Sequence, residues 1–211
     1  MREHEINKQN LFIGGYYLDD DQYIDNLVTY FHVQNQIGNT NEGYVAVKSL
    51  KGDYNPTIDK SVKDSIDFEM DERNPIVVEY LQRIQPCLNQ FIEQYPGAGM
   101  VNRFIGGLEK TNIQWYAPGG GFHVWHTESN GANQSAFRHL VFMTYLNDVN
   151  NGGETEFMHQ KVKIKPEKGL TLIWAAHWTH FHRGIPAPEE EKIIITGWYD
   201  YVQPQKGGGF R

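Results

Sequence analysis

Seven short runs rich in β-branched and aromatic residues, following two helix-patterned segments, predict a mainly β protein: a β-sandwich or jelly roll buttressed by helices. The runs cover residues 112–116, 122–127, 138–146, 154–158, 161–165, 169–174 and 192–200. Turn signals separate them, among them Pro118 to Gly121, Asn150 to Gly153 and Pro166 to Gly169. Helical periodicity is found before residue 97, so the order is helices first and strands after.

Taken in chain order, Leu11 to Ile13 reads as a short strand. Asp19, Asp20 and Asp21 cap a helix running to about Val33, with Ile24, Leu27, Val28 and Phe31 at helical spacing. Residues 38–59 read as loops with short extended pieces. A second helix starts at Asn74 as cap and Pro75 in the first turn. Its apolar stripe is Val77, Leu81, Ile84, Leu88, Ile92 and Tyr95. Pro86 lies inside that stripe, which predicts a kink or break between Gln82 and Pro86. Pro96 and Gly97 end the helix.

The 211 residues suffice for one domain with a sizeable core, and 39% apolar with 13% aromatic residues excludes a disordered chain. A formal charge of −7 argues against a nucleic-acid binder. A single cysteine, Cys87, excludes an intrachain disulfide and fits a reducing compartment. The polar first ten residues lack a secretory signal, and no run approaches a membrane span. A cytoplasmic protein with no membrane partner is expected. The organisation expected is one domain: helical and loop support over 1–111, a jelly-roll core over 112–202 and a flexible tail over 203–211.

The chemistry begins at His126, Thr127 and Glu128. On a strand over 122–128, alternation would turn His126 and Glu128 to one face, offering an imidazole and a carboxylate as two corners of a metal site. A His-X-Glu triplet alone is common; two unrelated polar residues at a strand end would look the same. The third corner must come from the histidine-dense stretch with His177, His180 and His182, which could equally pack among Trp174, Trp178 and Phe181. Two histidines and one carboxylate form the facial triad of non-haem iron(II) sites, with positions left open for oxygen and a co-substrate. Zinc and manganese accept the same donors. On the last run, Lys192, Ile194, Thr196, Trp198 and Asp200 share one face. A lysine between isoleucines needs an anion if buried, or else extends its ammonium to water.

At this point the stretch from Gln114 to Asp200 resembles the iron(II)- and 2-oxoglutarate-dependent oxygenases, in their prolyl 4-hydroxylase-like branch. Tyr116 to Gly119 followed by His126-X-Glu128 resembles the family's Tyr-X-X-Gly and His-X-Asp. Tyr145 to Val149 with Gly152 to Phe157 resembles its Tyr-Leu-Asn and Gly-Gly-Glu-Thr-X-Phe hairpin. Gly169 to Trp174 resembles the strand before the distal histidine. His182, Pro186, Lys192 and Trp198 follow in the family's order. Val62 to Ser65 is faintly similar to a substrate-side segment.

The resemblance implies a double-stranded β-helix core with iron(II) held by His126, Glu128 and His182. It implies 2-oxoglutarate held by Lys192, with Tyr116, Tyr145 and Thr196 hydrogen-bonding it and Trp198 packing beside it. Arg138 is implied near the pocket mouth, on the substrate side. The downstream spacing to Pro186 and Lys192 favours His182 over His180 as distal ligand. The implied activity is hydroxylation of an unactivated C–H bond with oxygen, releasing succinate and CO2, with ascorbate as a reductant. The implied substrate is a prolyl residue in a peptide or protein. A free amino acid or other small molecule is the second enzyme reading, and a non-catalytic jelly-roll binding module is the reading from another class. Glu128 departs from the family, which has aspartate there. Keeping a carboxylate argues against halogenation.

Overall fold

The computed structural model describes residues 1–48, 54–71, 73–106, 109–131 and 133–202. The expected tail over 203–211 lies outside the described residues. In chain order the strands and helices are β1 (Ile13–Tyr17), α1 (Asp21–Gln36), β2 (Asn41–Glu42), β3 (Val45–Lys48), β4 (Tyr54–Thr57), β5 (Lys63–Asp64), β6 (Ile66–Glu69), α2 (Pro75–Gln94), β7 (Phe104–Gly106), β8 (Asn112–Tyr116), β9 (Gly121–Phe122), β10 (Arg138–Tyr145), β11 (Thr155–Phe157), β12 (Val162–Ile164), β13 (Leu170–Ala175), β14 (His182–Gly184) and β15 (Lys192–Tyr201). Among the described residues no helix is long and apolar enough to cross a membrane.

The two helices form where their caps predict. Asp20 accepts from the backbone N–H of Tyr23 and starts α1, while Asn74 accepts from the N–H of Ile76 and starts α2. The expected break at Pro86 does not occur: α2 runs unbroken from Pro75 to Gln94. Its missing N–H deprives one carbonyl of a partner, but Ile84, Cys87, Leu88 and Phe91 around it are buried, and tertiary packing outweighs that local loss. The helix turns Val77, Tyr80, Ile84, Cys87 and Phe91 inward, so the centre of its apolar stripe lies slightly off the one read from spacing.

An eight-stranded antiparallel sheet runs β1-β13-β10-β15-β8-β6-β2, with β7 on β15. A smaller sheet has the order β12-β11-β14. Residues 1–111 therefore supply β1, β2, β6 and β7 to the large sheet as well as helical and loop support. The central strands bury both faces, which explains their nearly continuous apolar runs. Leu140, Phe142, Ile173, Ile193, Ile195 and Tyr199 pack against the helices. Val141, Met143, Tyr145, Leu172, Trp174 and Ile194 pack between the sheets with Phe157 and Ile164 of the smaller one. This is the double-stranded β-helix sandwich.

Gly197 shows how closely the helix-side layer is filled. A Cβ there would stand 2.3 Å from the Phe142 ring, so only glycine leaves room for that ring on the neighbouring strand. Thr144 is the polar exception on that side; its hydroxyl meets Tyr80 of α2 at 2.8 Å and Thr171 of β13 at 2.7 Å, so no hydroxyl of the three is left unpaired.

The run over 122–127 departs from the expectation. Only Gly121 and Phe122 pair as a strand, with β5, and His126 makes one isolated bridge to His182. The partner that would extend the pairing, β14, has three residues. It is itself a strand that periodicity does not reveal, because His-Arg-Gly lacks β-branched and apolar residues.

Candidate active site

His126 and His182 come together through that bridge. Each backbone N–H donates to the other's carbonyl at 3.0 Å, and the imidazole centroids lie 4.3 Å apart. Their Nδ1 atoms face main-chain carbonyls, His126 that of Val124 at 3.1 Å and His182 that of His180 at 2.9 Å. Donation from Nδ1–H fixes the tautomer that leaves both Nε2 lone pairs free to bind a metal. Phe122 stacks on the His126 ring at 3.7 Å, and Trp174 and Phe157 flank His182.

Glu128 closes the triangle although no strand carries it. Ser129 N–H and the Thr127 hydroxyl both donate to the Ala176 carbonyl at 2.8 Å, which ties the turn down on either side of Glu128. Its Oε1 lies 3.5 Å from His126 Nε2 and 3.4 Å from His182 Nε2. One ligand atom from each of the three residues lies within 4.8 Å of the others, and no further such group exists among the described residues. Burial pushes the Glu128 carboxyl up, but hydrogen bonds and charge from His126 and His182 outweigh it and hold the group well below the usual carboxylate range. Burial, and then the neighbouring His182, push His126 down and keep it neutral. A neutral His126 imidazole and an ionised Glu128 carboxylate are protonation states that suit a divalent cation.

The second carboxylate oxygen is held separately. Oε2 accepts from Trp198 Nε1 at 3.0 Å and from an Arg138 guanidinium nitrogen at 3.3 Å. Arg138 also donates to the Glu128 carbonyl at 2.9 Å, lies 3.6 Å from the centre of the Trp198 ring and pairs with Glu109. The guanidinium that the resemblance implied on the substrate side is thus mostly occupied within the protein. Glu109 was not visible as its partner, because a loop rather than a periodic element carries it across.

A cleft of about 1200 Å3 opens over this cluster. Tyr116, Lys192, Thr196 and Trp198 line it, as do Arg138 and the three triad residues. The β8–β15 register sets Lys192 opposite Tyr116 and Thr196 opposite Asn112. Lys192 is 3% exposed, and its ammonium reaches the Gly153 carbonyl at 3.1 Å and lies 5.0 Å from the centre of the Tyr116 ring. Gly153 can present that carbonyl because it sits at φ +78°, where a side chain would be strained and would crowd Val149. Two cleft hydroxyls bond within the protein: Tyr116 donates to Gln114 at 2.7 Å and Thr196 to the Phe142 carbonyl at 3.3 Å. Tyr145 is fully buried and donates to Thr155 at 2.6 Å; it is Thr155 that reaches the cleft wall.

His180 stands apart. Its Nδ1 meets the Thr179 hydroxyl and its Nε2 the Leu11 carbonyl at 3.4 Å, and it does not line the cleft. Cleft residues that sequence reasoning missed include Gln114, Asn112 and Arg183, whereas Val62 and Lys63, from the segment likened to a substrate-side one, do line the cleft. Gln114 and Asn112 share the parity of Tyr116, and that alternation was the available signal.

Residues 111–200 match the 2OG-Fe(II) oxygenase superfamily model. No curated protein sequence matches the chain. In fold the chain is similar to a viral collagen prolyl hydroxylase of Paramecium Bursaria Chlorella virus-1, at 19% identity and a TM-score of 0.65 over 90% of this chain and 97% of that one. A Pseudomonas putida prolyl-4-hydroxylase is similar at 16% identity and a TM-score of 0.65, over 90% of this chain and 92% of the other. A Trichoplax adhaerens prolyl hydroxylase, solved with a hypoxia inducible factor peptide fragment, is similar at 17% identity and a TM-score of 0.64, over 92% and 89%. Residues 111–200 thus match the 2OG-Fe(II) oxygenase superfamily, and the chain as a whole has the fold of the prolyl 4-hydroxylases, with a His-Glu-His cluster that could hold a metal ion.

Proposed function

We propose that the protein hydroxylates a prolyl residue in an extended peptide or protein segment, with Fe(II) held by His126, Glu128 and His182 and 2-oxoglutarate anchored by Lys192. The observation that carries the co-substrate assignment is the lysine. A cation 3% exposed and bonded only to a neutral carbonyl is costly, and no carboxylate lies within salt-bridge distance of it among the described residues. It faces the same cleft as the triad, so a dicarboxylate spanning the two supplies the missing charge at one end and metal-binding oxygens at the other. The donor set fits a hard-to-borderline divalent cation.

When bound, iron and 2-oxoglutarate supply the oxidising chemistry, in which the keto acid is decarboxylated to succinate and one oxygen atom enters the substrate C–H bond. The chain supplies the geometry. The two histidines and Glu128 occupy one side of the site and leave the cleft side free. Lys192 neutralises and orients the distal carboxylate through a charge-assisted bond. Tyr116, Thr196 and Trp198 wall the co-substrate, and the buried aromatic rings beside His182 exclude water from the inner side.

A peptide substrate is supported by the size of the cleft. About 1200 Å3 exceeds the space a small co-substrate occupies, and the β3–β4 hairpin forms part of the rim through Val45, Pro56 and Thr57. An extended proline-containing chain enters such a cleft with little ordering cost. The test is incubation with Fe(II), 2-oxoglutarate, ascorbate, oxygen and proline-rich peptides. The expected result is succinate release coupled to a peptide gain of about 16 Da, one oxygen atom. Hydroxylation of free proline or another small molecule, with every peptide unmodified, would replace the peptide reading with the small-molecule one. No succinate under any condition would favour a binding module.

A further inference from the structure

Glutamate at position 128 is one methylene longer than the aspartate of related sites, and a longer, freer carboxylate can chelate a metal through both oxygens. Bidentate binding would occupy a position needed by co-substrate or oxygen. The two oxygens of Glu128 are not equivalent here. Oε1 faces both imidazole Nε2 atoms, while Oε2 is turned away and held by the Trp198 indole N–H at 3.0 Å and Arg138 at 3.3 Å. Those two donors are themselves fixed. Trp198 sits on β15 in register with Val141, and Arg138 is stacked on its ring, paired with Glu109 and bonded to the Glu128 carbonyl.

We propose that Trp198 and Arg138 are positioning residues that latch Oε2 of Glu128, keep the longer carboxylate monodentate, and so preserve the open side of the metal site. The inference rests on the metal reading above. It gives Trp198 a role besides walling the co-substrate, and it gives Arg138 one directed at the ligand rather than at substrate. The latch is matched to glutamate. Ser129 and Thr127 tie the backbone down on either side of position 128, so an aspartate, one methylene shorter, is expected to give up either the imidazoles or the two donors.

The experiment is a double-mutant cycle between Trp198→Phe and Glu128→Asp, read by Fe(II) affinity in anaerobic equilibrium dialysis. The visible charge-transfer band of the Fe(II)–2-oxoglutarate complex is the second readout. Trp198→Phe keeps the aromatic wall and removes only the donor. In the wild-type background it is expected to weaken Fe(II) binding about 10–100-fold and to shift the band, as loss of partners around a metal ligand does. In the Glu128→Asp background it should change affinity less than about threefold, because the shorter carboxylate no longer uses the latch. Arg138→Lys should act in the same direction as Trp198→Phe; should it fail to fold, the tryptophan cycle alone decides. Unchanged affinity and an unchanged band in Trp198→Phe, or equal losses in both backgrounds, would overturn the latch. Wild-type protein that binds Fe(II) no more tightly than His182→Ala would instead overturn the metal site, and the latch with it.

Discussion

His126 and His182 exchange both backbone hydrogen bonds, N–H to carbonyl in each direction at 3.0 Å, so one isolated bridge sets the spacing of two imidazoles 56 positions apart in sequence. The consequence is a sharp separation between neighbours in the histidine-rich stretch. His182 shares the bridge and faces Glu128, whereas His180 belongs to the packing between β13 and the N-terminal segment.

His182→Ala is therefore expected to lose stoichiometric Fe(II) and all succinate production while keeping a cooperative thermal transition. His180→Ala should retain iron and turnover. It should instead lose about 1–3 kcal/mol of stability, because the Leu11 carbonyl and Thr179 hydroxyl lose a buried partner. Metal content of the two purified variants, together with denaturant midpoints, checks both halves. Iron retained by His182→Ala and lost by His180→Ala would reverse the assignment.

Some of this was legible from residues and some was not. Strand parity correctly grouped Lys192, Thr196 and Trp198 on one face, because β15 is long, central and regular. Parity could not separate His180 from His182, and the family spacing had to do so. The same rule misled over 123–127, where Val124 and Trp125 look like strand residues but have no partner strand long enough to pair with. His126 and Glu128 meet through turn hydrogen bonds to Ala176 and the bridge to His182, long-range contacts that a local pattern does not encode. The Glu109–Arg138 pair was hidden for the same reason.

Packing on the helix side gives a second test. Gly197→Ala places a methyl group against the Phe142 ring, which Tyr80 and Tyr199 already hem in. A loss of about 1–3 kcal/mol is expected, as for overpacked cores. Phe142→Leu in the same chain should recover part of that loss; additive losses in urea melts would show that the ring is not the obstacle.

Cys87 offers a probe of the same core. It is fully buried on α2, and burial pushes its thiol up to about 12. In native protein at pH 8 iodoacetamide should leave it unmodified, since thiolate and access are both lacking. Labelling should rise with urea in parallel with the loss of far-UV signal. Rapid labelling without denaturant would mean that α2 opens separately from the sandwich.

Lys192 yields a prediction with two opposite signs. Burial depresses its ammonium from 10.5 to about 8, with Glu154 opposing weakly and Tyr116 facing it as a neutral phenol. Without co-substrate, the folded protein loses this proton before the unfolded chain does. Between pH 8 and 10.5 the unfolded state therefore binds more protons, and stability rises with pH. Over pH 8 to 9.5 Lys192 contributes a gain of about 1.5 kcal/mol, at up to roughly 1.36 kcal/mol per unit; the buried Cys87 thiol opposes it above about pH 9 and the buried tyrosines above pH 10, so the difference from Lys192→Met isolates the lysine. Co-substrate binding runs the other way. A dicarboxylate needs the protonated lysine, so 2-oxoglutarate affinity should be flat below pH 8 and fall up to about tenfold per unit above it. Lys192→Met should weaken 2-oxoglutarate binding by roughly 1.5–3 kcal/mol at pH 7 and remove both pH dependences. Titration calorimetry and urea melts from pH 7 to 9.5 on the two proteins supply the measurement. Affinity that stays level to pH 9.5 in the wild type would mean that some group other than Lys192 holds the distal carboxylate.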